Sequence, residues 1–415
     1  MIRVFAASWP LLLGMLLLMI GNGIQGTLLG IRGNLEGFST QQMSFVMSAY
    51  FLGFLLGSRI APDLIRRVGH VRVFAALGSL ISAVLILYAA IPDWVAWVVL
   101  RMVIGFCFAG VYVTAESWLN NAATNDTRGQ TLSLYMIVQM AGIVSAQGLV
   151  NVADPEGFLL FVIPSVLVSL AFMPILLSIS PAPAFGTTKR MSFLRLYQVS
   201  PLGVVGILLM GGVYSALFGM AAVWGAEAGL SIPEITAFVA AIYIGGLVFQ
   251  YPIGFLSDRM DRRVLILVTA ASGAVIGVAT AVVVVPFVAL LAVAVVIGGI
   301  SNPLYSLLLA YTNDYLEHDE MAAASGGLMF TNGLGAVVGP VIIGWTMAAI
   351  GPGGFFLFIG VLTGLLALYA AWRMTRRPAP SADTTGTFTP VSPATTVVAY
   401  EAVLEAQDDP DTDTP

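Results

Sequence analysis

The stretch "GFLSDRMDRR", residues 254–263, places five charged side chains in ten positions of a chain in which only 9% of residues are charged. It directly follows a long apolar segment. Hydrophobic residues make up 58% of the 415, and the mean hydropathy is +0.94. This composition is typical of an integral membrane protein, because a soluble domain needs more charge to cover its surface. The charged stretch is therefore interpreted as a turn between two membrane-spanning helices.

Hydropathy predicts twelve such helices, each long enough to cross about 30 Å of hydrocarbon. The first apolar run is too long for a signal peptide and lacks a small-residue cleavage site, so we interpret it as a retained helix. The predicted limits are 5–30, 40–61, 72–91, 95–119, 130–151, 157–179, 200–225, 234–255, 264–283, 286–311, 321–347 and 353–372. The expected fold is an all-α integral membrane protein.

The polar segments divide this array into domains. We predict an N-terminal six-helix bundle over 1–179, a cytoplasmic linker over 180–199, a C-terminal six-helix bundle over 200–373 and a disordered acidic tail over 374–415. Seven of the 22 acidic residues lie after residue 382. The tail is too poor in apolar residues to fold alone.

Basic residues set the orientation. If the N-terminus is cytoplasmic, 15 of the 17 Lys and Arg residues fall in cytoplasmic segments or at their borders, leaving Arg32 outside and Arg101 within a span. Such a bias predicts that both termini are cytoplasmic. The expected location is the plasma membrane, or the inner membrane of a cell that has two.

Several classes of function are not supported. The single cysteine, Cys107, cannot form an intramolecular disulfide, and no Cys/His cluster has the spacing of a zinc site. No phosphate loop, H-E-x-x-H or G-x-S-x-G motif is present. We expect no enzymatic activity, no metal, no cofactor and no nucleic-acid partner.

A second turn repeats the first one. The segment "PDLIRRVGHVR", residues 62–72, aligns with 254–264 at an offset of 192. Six spans plus six spans, with a matching turn in each half, is the internal repeat of a secondary transporter.

The residues of the second turn resemble the major facilitator superfamily motif G-x-L-x-D-R-x-G/D-R-R, and "RMVIGFCFAG" in span four resembles that family's R-x-x-x-G motif. The segments "VYVTAESWLNN", "FQYPIGFLSDR" and "LYSLLLAYTNDYLEH" resemble its bacterial YcaD-like branch. The resemblance covers residues 1 to about 375. It implies two pseudo-symmetric six-helix bundles around a central cavity, which alternately opens to each side. Span five lacks the G-P pair of drug/proton antiporters, which argues against multidrug efflux without excluding it.

The resemblance also implies a cytoplasmic gate, in which the acid of each turn docks on the start of a helix in the opposite bundle. Asp258 would meet Arg128, while in the first half the acid is replaced by Arg66, which would meet Glu320. The alternative is that these are solvated charges that only fix orientation, since exposed pairs contribute little. We prefer that alternative for Arg262 and Arg263. The predicted gate residues are Gly254, Asp258, Arg259, Arg128, Arg66, Arg67, Gly69 and Glu320.

Span four carries Arg101 and Glu116, the charges placed furthest into a membrane segment. At about 100° per residue they share one face with Tyr112. We expect Arg101 to bind an anion or take part in proton coupling, and Glu116 to carry a proton. The alternatives are an Arg bonded to backbone oxygens and an acid that reaches the interface.

Amide and phenol groups in other spans predict a polar cavity suited to an organic solute, although each could equally join two helices. The predicted pathway residues are Arg101, Tyr112, Glu116, Asn22, Gln25, Gln139, Gln147, Asn302 and Tyr305.

Together these features predict a secondary active transporter of a small organic solute, coupled to protons and functional as a monomer in the lipid bilayer. A membrane sensor or assembly partner that binds without transporting remains the alternative. Solute-dependent flux would separate the two.

Overall fold

A computed structural model describes residues 2–122, 125–176 and 191–376, together with positions 388, 391, 396 and 400. The side chains of residues 2–8, 121, 122, 125–129, 175, 318 and 319 lie outside this description. Throughout the described ranges the regular elements are helices, which confirms the all-α prediction. The α-helices are α1 (Ile2–Leu35), α2 (Thr40–Val68), α3 (His70–Ala90), α4 (Trp94–Ala122), α5 (Asn125–Leu149), α6 (Leu159–Leu176), α7 (Phe193–Val199), α8 (Pro201–Ser215), α9 (Ala221–Glu227), α10 (Ile232–Ser257), α11 (Arg262–Val282), α12 (Phe287–Asn313), α13 (His318–Ile350) and α14 (Gly353–Met374).

The helices reproduce the predicted spans. Among the described residues, eleven spans are long and apolar enough to cross a membrane, and α6 contributes a shorter apolar helix. Helices α8 and α9 form one of these spans, Pro201–Glu227, joined by a π-helix at Ala216–Met220. The predicted twelve-helix architecture is confirmed, with α7 as an additional short helix in the segment predicted to be a linker.

Helix α2 runs past its predicted end at 61 and continues to Val68. It contains Pro62, which membrane helices tolerate because nearby groups satisfy the freed backbone. The chain then turns at Gly69, whose φ of 89° is in the region that favours glycine. The glycine of the first-half motif therefore has a backbone role.

The described residues form two compact units. The first takes those within Met1–Gln25, Leu52–Thr188 and Ala394–Pro415, and the second those within Gly26–Phe51 and Lys189–Pro393. The second unit thus includes the end of α1 and the start of α2. The division into domains at the linker stays a prediction.

In the first unit, α3 packs against α4 and α6. The Ser82 hydroxyl lies 2.8 Å from that of Ser165 and 2.9 Å from that of Ser169, so hydroxyl groups join α3 to α6. The indole of Trp97 donates to the carbonyl oxygens of Tyr88 and Ile91 at 3.1 and 3.0 Å. These bonds satisfy polar groups that lipid would leave unpaired.

In the second unit, α10 packs on α12, α8 on α13 and α11 on α14. At the crossing of α10 and α12, Gly245 lies against the backbone of Val295 and Gly298 against the backbone of Ile242, with no room for a Cβ at either glycine. The start of α2 joins this unit through Ser48, whose hydroxyl donates to the Val337 carbonyl at 2.5 Å. Small residues therefore bring the helix backbones together, as is usual in membranes.

Candidate functional site

Glu116 is the acid of the candidate pathway, and its side chain is buried on α4 in the first unit, with 1% exposed. The Tyr135 hydroxyl on α5 donates to its Oε1 at 3.3 Å. The backbone N–H of Thr396 donates to its Oε2 at 3.0 Å, and the Thr396 hydroxyl donates to the same oxygen. Tyr135 also interacts with Gln139. Four residues thus form one cluster, and only Glu116 and Gln139 were expected in it.

Tyr112 lies one turn before Glu116 and is 3% exposed. Its hydroxyl contacts the sulfur of Met19 on α1 at 3.3 Å, and its ring lies 5.9 Å from that of Phe54 on α2. The predicted face of α4 therefore packs against α1 and α2 within the first unit.

Arg101, which lies nearer the start of the same helix, is 4% exposed. The structure thus places both charges of span four in the interior of the first unit. A buried charge in a span costs several kcal/mol unless it is compensated, so this helix carries groups that are expensive to retain. The roles predicted for Arg101 and Glu116 stay predictions.

The predicted amides have different surroundings. Gln25 is buried and donates to the Tyr88 hydroxyl at 3.3 Å. Gln147 is buried and donates to the Ile143 carbonyl in its own helix at 3.2 Å. Gln25 therefore joins α1 to α3, as in the helix-joining alternative, while Asn22 is half-buried on α1.

Span ten contributes to the second unit a buried row of polar side chains on α12: Asn302, Tyr305 and Ser306. The Ser306 hydroxyl accepts from Nε2 of Gln250 on α10 at 3.2 Å and donates to the Val391 carbonyl at 2.9 Å. The Val391 N–H lies 3.1 Å from the same hydroxyl oxygen. Sequence analysis did not predict that Val391, which follows the last membrane span, is a partner of Ser306.

The second-half turn contains Asp258, whose Oδ1 accepts from the Phe388 N–H at 2.7 Å. The Phe388 ring packs against Gly254, where a Cβ would lie 2.6 Å from a ring carbon. Arg259 lies over the Phe255 ring, 3.5 Å from its centre. The side chain of Arg128 lies outside the described residues, so its pairing with Asp258 stays a prediction.

Arg262 corrects the interpretation of this turn as a set of solvated charges. Its side chain is 4% exposed and that of Asp314, at the end of α12, is 3% exposed. Arg262 Nη1 lies 2.5 Å from Asp314 Oδ1, and Nε donates to the Ser257 hydroxyl at 3.1 Å. The expectation for Arg262 was wrong because its neighbour in space is about fifty residues away in sequence. Arg263 is also mostly buried and pairs with Asp261 at 2.7 Å.

In the first-half turn Arg66 pairs with Asp63 in its own helix, and Arg67 is exposed. Glu320, at the start of α13, pairs with Arg195 on α7 in the second unit. The predicted pair of Arg66 and Glu320 would join the two units and stays a prediction.

An aromatic cluster in the second unit was not anticipated. The Tyr214 ring lies 4.4 Å from Phe218 in the π-helix, and Phe218 lies 4.7 Å from Tyr243 on α10. Phe51 of α2 lies 6.4 Å from Tyr214. Sequence analysis assigned no role to Tyr214 or Phe218, although a tyrosine and a phenylalanine four residues apart share a helix face.

Comparison with known proteins places these features in a family. The protein-family model described as Major Facilitator Superfamily matches residues 11–246 and 203–406 of this chain. Several Escherichia coli strains, including K12 / DH10B and UTI89 / UPEC, have a protein called "Uncharacterized MFS-type transporter YcaD". It is 28% identical over 387 residues, covering 90% of this chain and 97% of the relative.

Solved structures share the fold. The nucleoside transporter NupG, as its D323A mutant, superposes with a TM-score of 0.73 at 14% identity, covering 88% of this chain and 99% of that one. A D-xylose-proton symporter superposes with a TM-score of 0.71 at 15% identity, covering 92% of this chain and 99% of that one. A bacterial homologue of the human lysosomal transporter Spinster, in an inward-facing and unoccupied conformation, superposes with a TM-score of 0.69 at 13% identity. The match covers 98% of this chain and 99% of that one.

Proposed function

Because the chain belongs to the major facilitator superfamily, we propose that it is a secondary active transporter, which moves a small organic solute by alternating access and is coupled to protons. It is a multi-pass membrane protein. The distribution of basic residues supports cytoplasmic termini in the plasma membrane, or in the inner membrane where there are two. A single chain in the bilayer suffices for this mechanism.

The structural neighbours support the organic solute and the proton. One is a nucleoside transporter and another is a D-xylose-proton symporter. The aromatic and amide groups of this chain are suited to a solute with both apolar and hydrogen-bonding parts. The family moves solutes without transforming them, so the solute should be recovered with its mass unchanged.

The observation that carries the proton coupling is the cluster around Glu116. A carboxylate within a span is costly and tends to mark a proton or solute route. Here the acid has a hydroxyl partner, Tyr135, which can donate to the charged carboxylate or accept from the protonated one. Arg101 places a cation on the same helix, where it can hold an anionic group.

The test is untargeted mass spectrometry of solutes accumulated by sealed vesicles that contain the protein, with and without an imposed pH gradient. We expect one solute class to accumulate only with protein and gradient, and Glu116→Gln to abolish the gradient-dependent part. Arg101→Ala should lower accumulation. The matched control is Glu156→Gln, which makes the same change at an exposed loop acid.

Either of two results would contradict the proposal. Accumulation unaffected by Glu116→Gln would remove the proton role from this residue. No protein-dependent flux from a broad solute extract would favour a sensor that binds without transporting.

A further inference from the structure

Three positions beyond the last helix make specific contacts with candidate functional residues. In the second unit, Phe388 contacts Gly254 and Asp258. In the same unit, Val391 bonds to Ser306. In the first unit, Thr396 bonds to Glu116. Each unit therefore carries an anchor for the chain that follows α14.

Val391 and Thr396 are buried, as is Tyr400 further along the chain, whereas Phe388 is half-buried. Val391 is 4% exposed, Thr396 2% and Tyr400 4%. The composition of this part of the chain gives no reason for burial, since Ser, Thr, Pro and acidic residues dominate it. A polar segment is held among apolar helices only where its backbone groups find partners.

Three backbone amides of this segment find such partners. The N–H groups of Phe388, Val391 and Thr396 lie 2.7, 3.1 and 3.0 Å from acceptor oxygens on Asp258, Ser306 and Glu116. Two of the acceptors are carboxylates, which bind N–H groups more strongly than neutral acceptors do. Side-chain oxygens that accept from several backbone amides of one segment can recognise that segment as a peptide.

We propose that each unit carries its own anchor for a peptide, Gly254, Asp258 and Ser306 in the second unit and Glu116 in the first, and that the chain's own C-terminal tail fills these anchors as an internal ligand. This inference rests on the proposed function in one respect: the tail then inhibits transport. While Thr396 bonds to Glu116, the carboxylate that we assign to proton transfer is engaged.

The first experiment measures peptide binding and needs no knowledge of the solute. A chain truncated after Thr387 is purified in detergent and titrated with a fluorescent peptide of residues 385–402, TGTFTPVSPATTVVAYEA. We expect saturable binding to the truncated chain and much weaker binding to the full chain, whose anchors are already filled.

Point variants of the peptide identify the contact. Thr396→Val removes the hydroxyl that bonds to Glu116 and should weaken binding about tenfold, the effect typical of a lost hydrogen bond to a charged group. Thr396→Ser keeps both that hydroxyl and the backbone N–H and should leave the affinity within about twofold of the parent peptide. Absence of binding, or equal loss in both variants, would overturn the peptide site.

The second experiment measures flux in inside-out vesicles. Truncation should raise the solute flux, and the parent peptide added to the cytoplasmic face should lower it again, whereas the Thr396→Val peptide should do so less. Flux that is unchanged or reduced by truncation, in a chain that still binds the peptide, would overturn the inhibitory role. If neither chain transports, the transporter proposal fails, and the binding result alone decides the peptide site.

Discussion

The buried pair of Arg262 and Asp314 allows a quantitative prediction. Both side chains are almost fully buried, and Arg262 also bonds to Ser257. The change Asp314→Leu removes the buried carboxylate and leaves the guanidinium only the longer contact of 3.6 Å to Asp258, whose side chain is 37% exposed. Removal of one partner from a buried pair typically costs about 3–5 kcal/mol, because the remaining charge is desolvated and uncompensated.

Removal of both charges should destabilise the protein much less than removal of one. In the double variant Arg262→Met with Asp314→Leu, no buried charge remains, and most of the lost stability should return. The coupling energy from the double-mutant cycle should therefore be about 2 kcal/mol or more. The exposed pair of Arg66 and Asp63 is the control: Asp63→Leu should change the free energy of unfolding by less than about 1 kcal/mol.

Cys107 supplies the assay. It is the only cysteine of the chain and is fully buried, so a thiol-reactive dye labels it when the protein unfolds. Labelling along a denaturant series gives the free energy of unfolding for each variant. The reasoning would be refuted if Asp314→Leu behaved like Asp63→Leu, or if the double variant were no more stable than the single one.

Three further changes test the packing and the charges of the described helices, and the first two can be followed by the same labelling. Gly298→Ala should cost about 1–3 kcal/mol, because its Cβ meets the Ile242 backbone, whereas Gly148→Ala, in open space on α5, should not destabilise. Gly69→Ala should cost about 1 kcal/mol because of the positive φ, and Gly26→Ala, which meets no neighbour within a helix, should be neutral or stabilising. Burial raises the pKa of Asp261, but hydrogen bonds from the Arg263 side chain and N–H outweigh it, so the pKa lies below its ordinary value. Asp261→Asn should therefore lower stability at neutral pH, and its difference from the parent should vanish as the pH falls through that lowered pKa. Tryptophan fluorescence replaces labelling for this variant, because the thiol is protonated and unreactive at acid pH.

The membrane helices could be predicted from sequence because their cause is local. A run of about twenty apolar residues is sufficient for a span, and α12 was predicted at 286–311 and observed at Phe287–Asn313. The errors lie where polar residues continue a helix: α2 extends to Val68, although hydropathy ends near 61. Hydropathy measures the apolar length and not the helical length.

The contacts of the site could be predicted only in part, since they join residues far apart in sequence. The periodicity of α4 was sufficient to place Tyr112 and Glu116 on one buried face. It gave no sign of Tyr135 as a partner of Glu116, although a buried tyrosine generally finds a hydrogen-bond partner. Phe388 and Thr396 each use a backbone N–H group, which nearly every residue possesses, so that part of their contacts leaves little signal in the sequence.

The covalent attachment of the tail to α14 has a consequence for how its occupancy would scale. A ligand joined to its receptor by a short stretch of the same chain experiences an effective concentration on the order of millimolar. The fraction of anchors that the tail fills is then independent of how many copies of the protein a cell makes. A weak intrinsic affinity of the tail for the anchors is sufficient to keep them filled. A soluble competitor would need to approach that concentration, whereas a modification or partner that captures the tail would act at far lower levels.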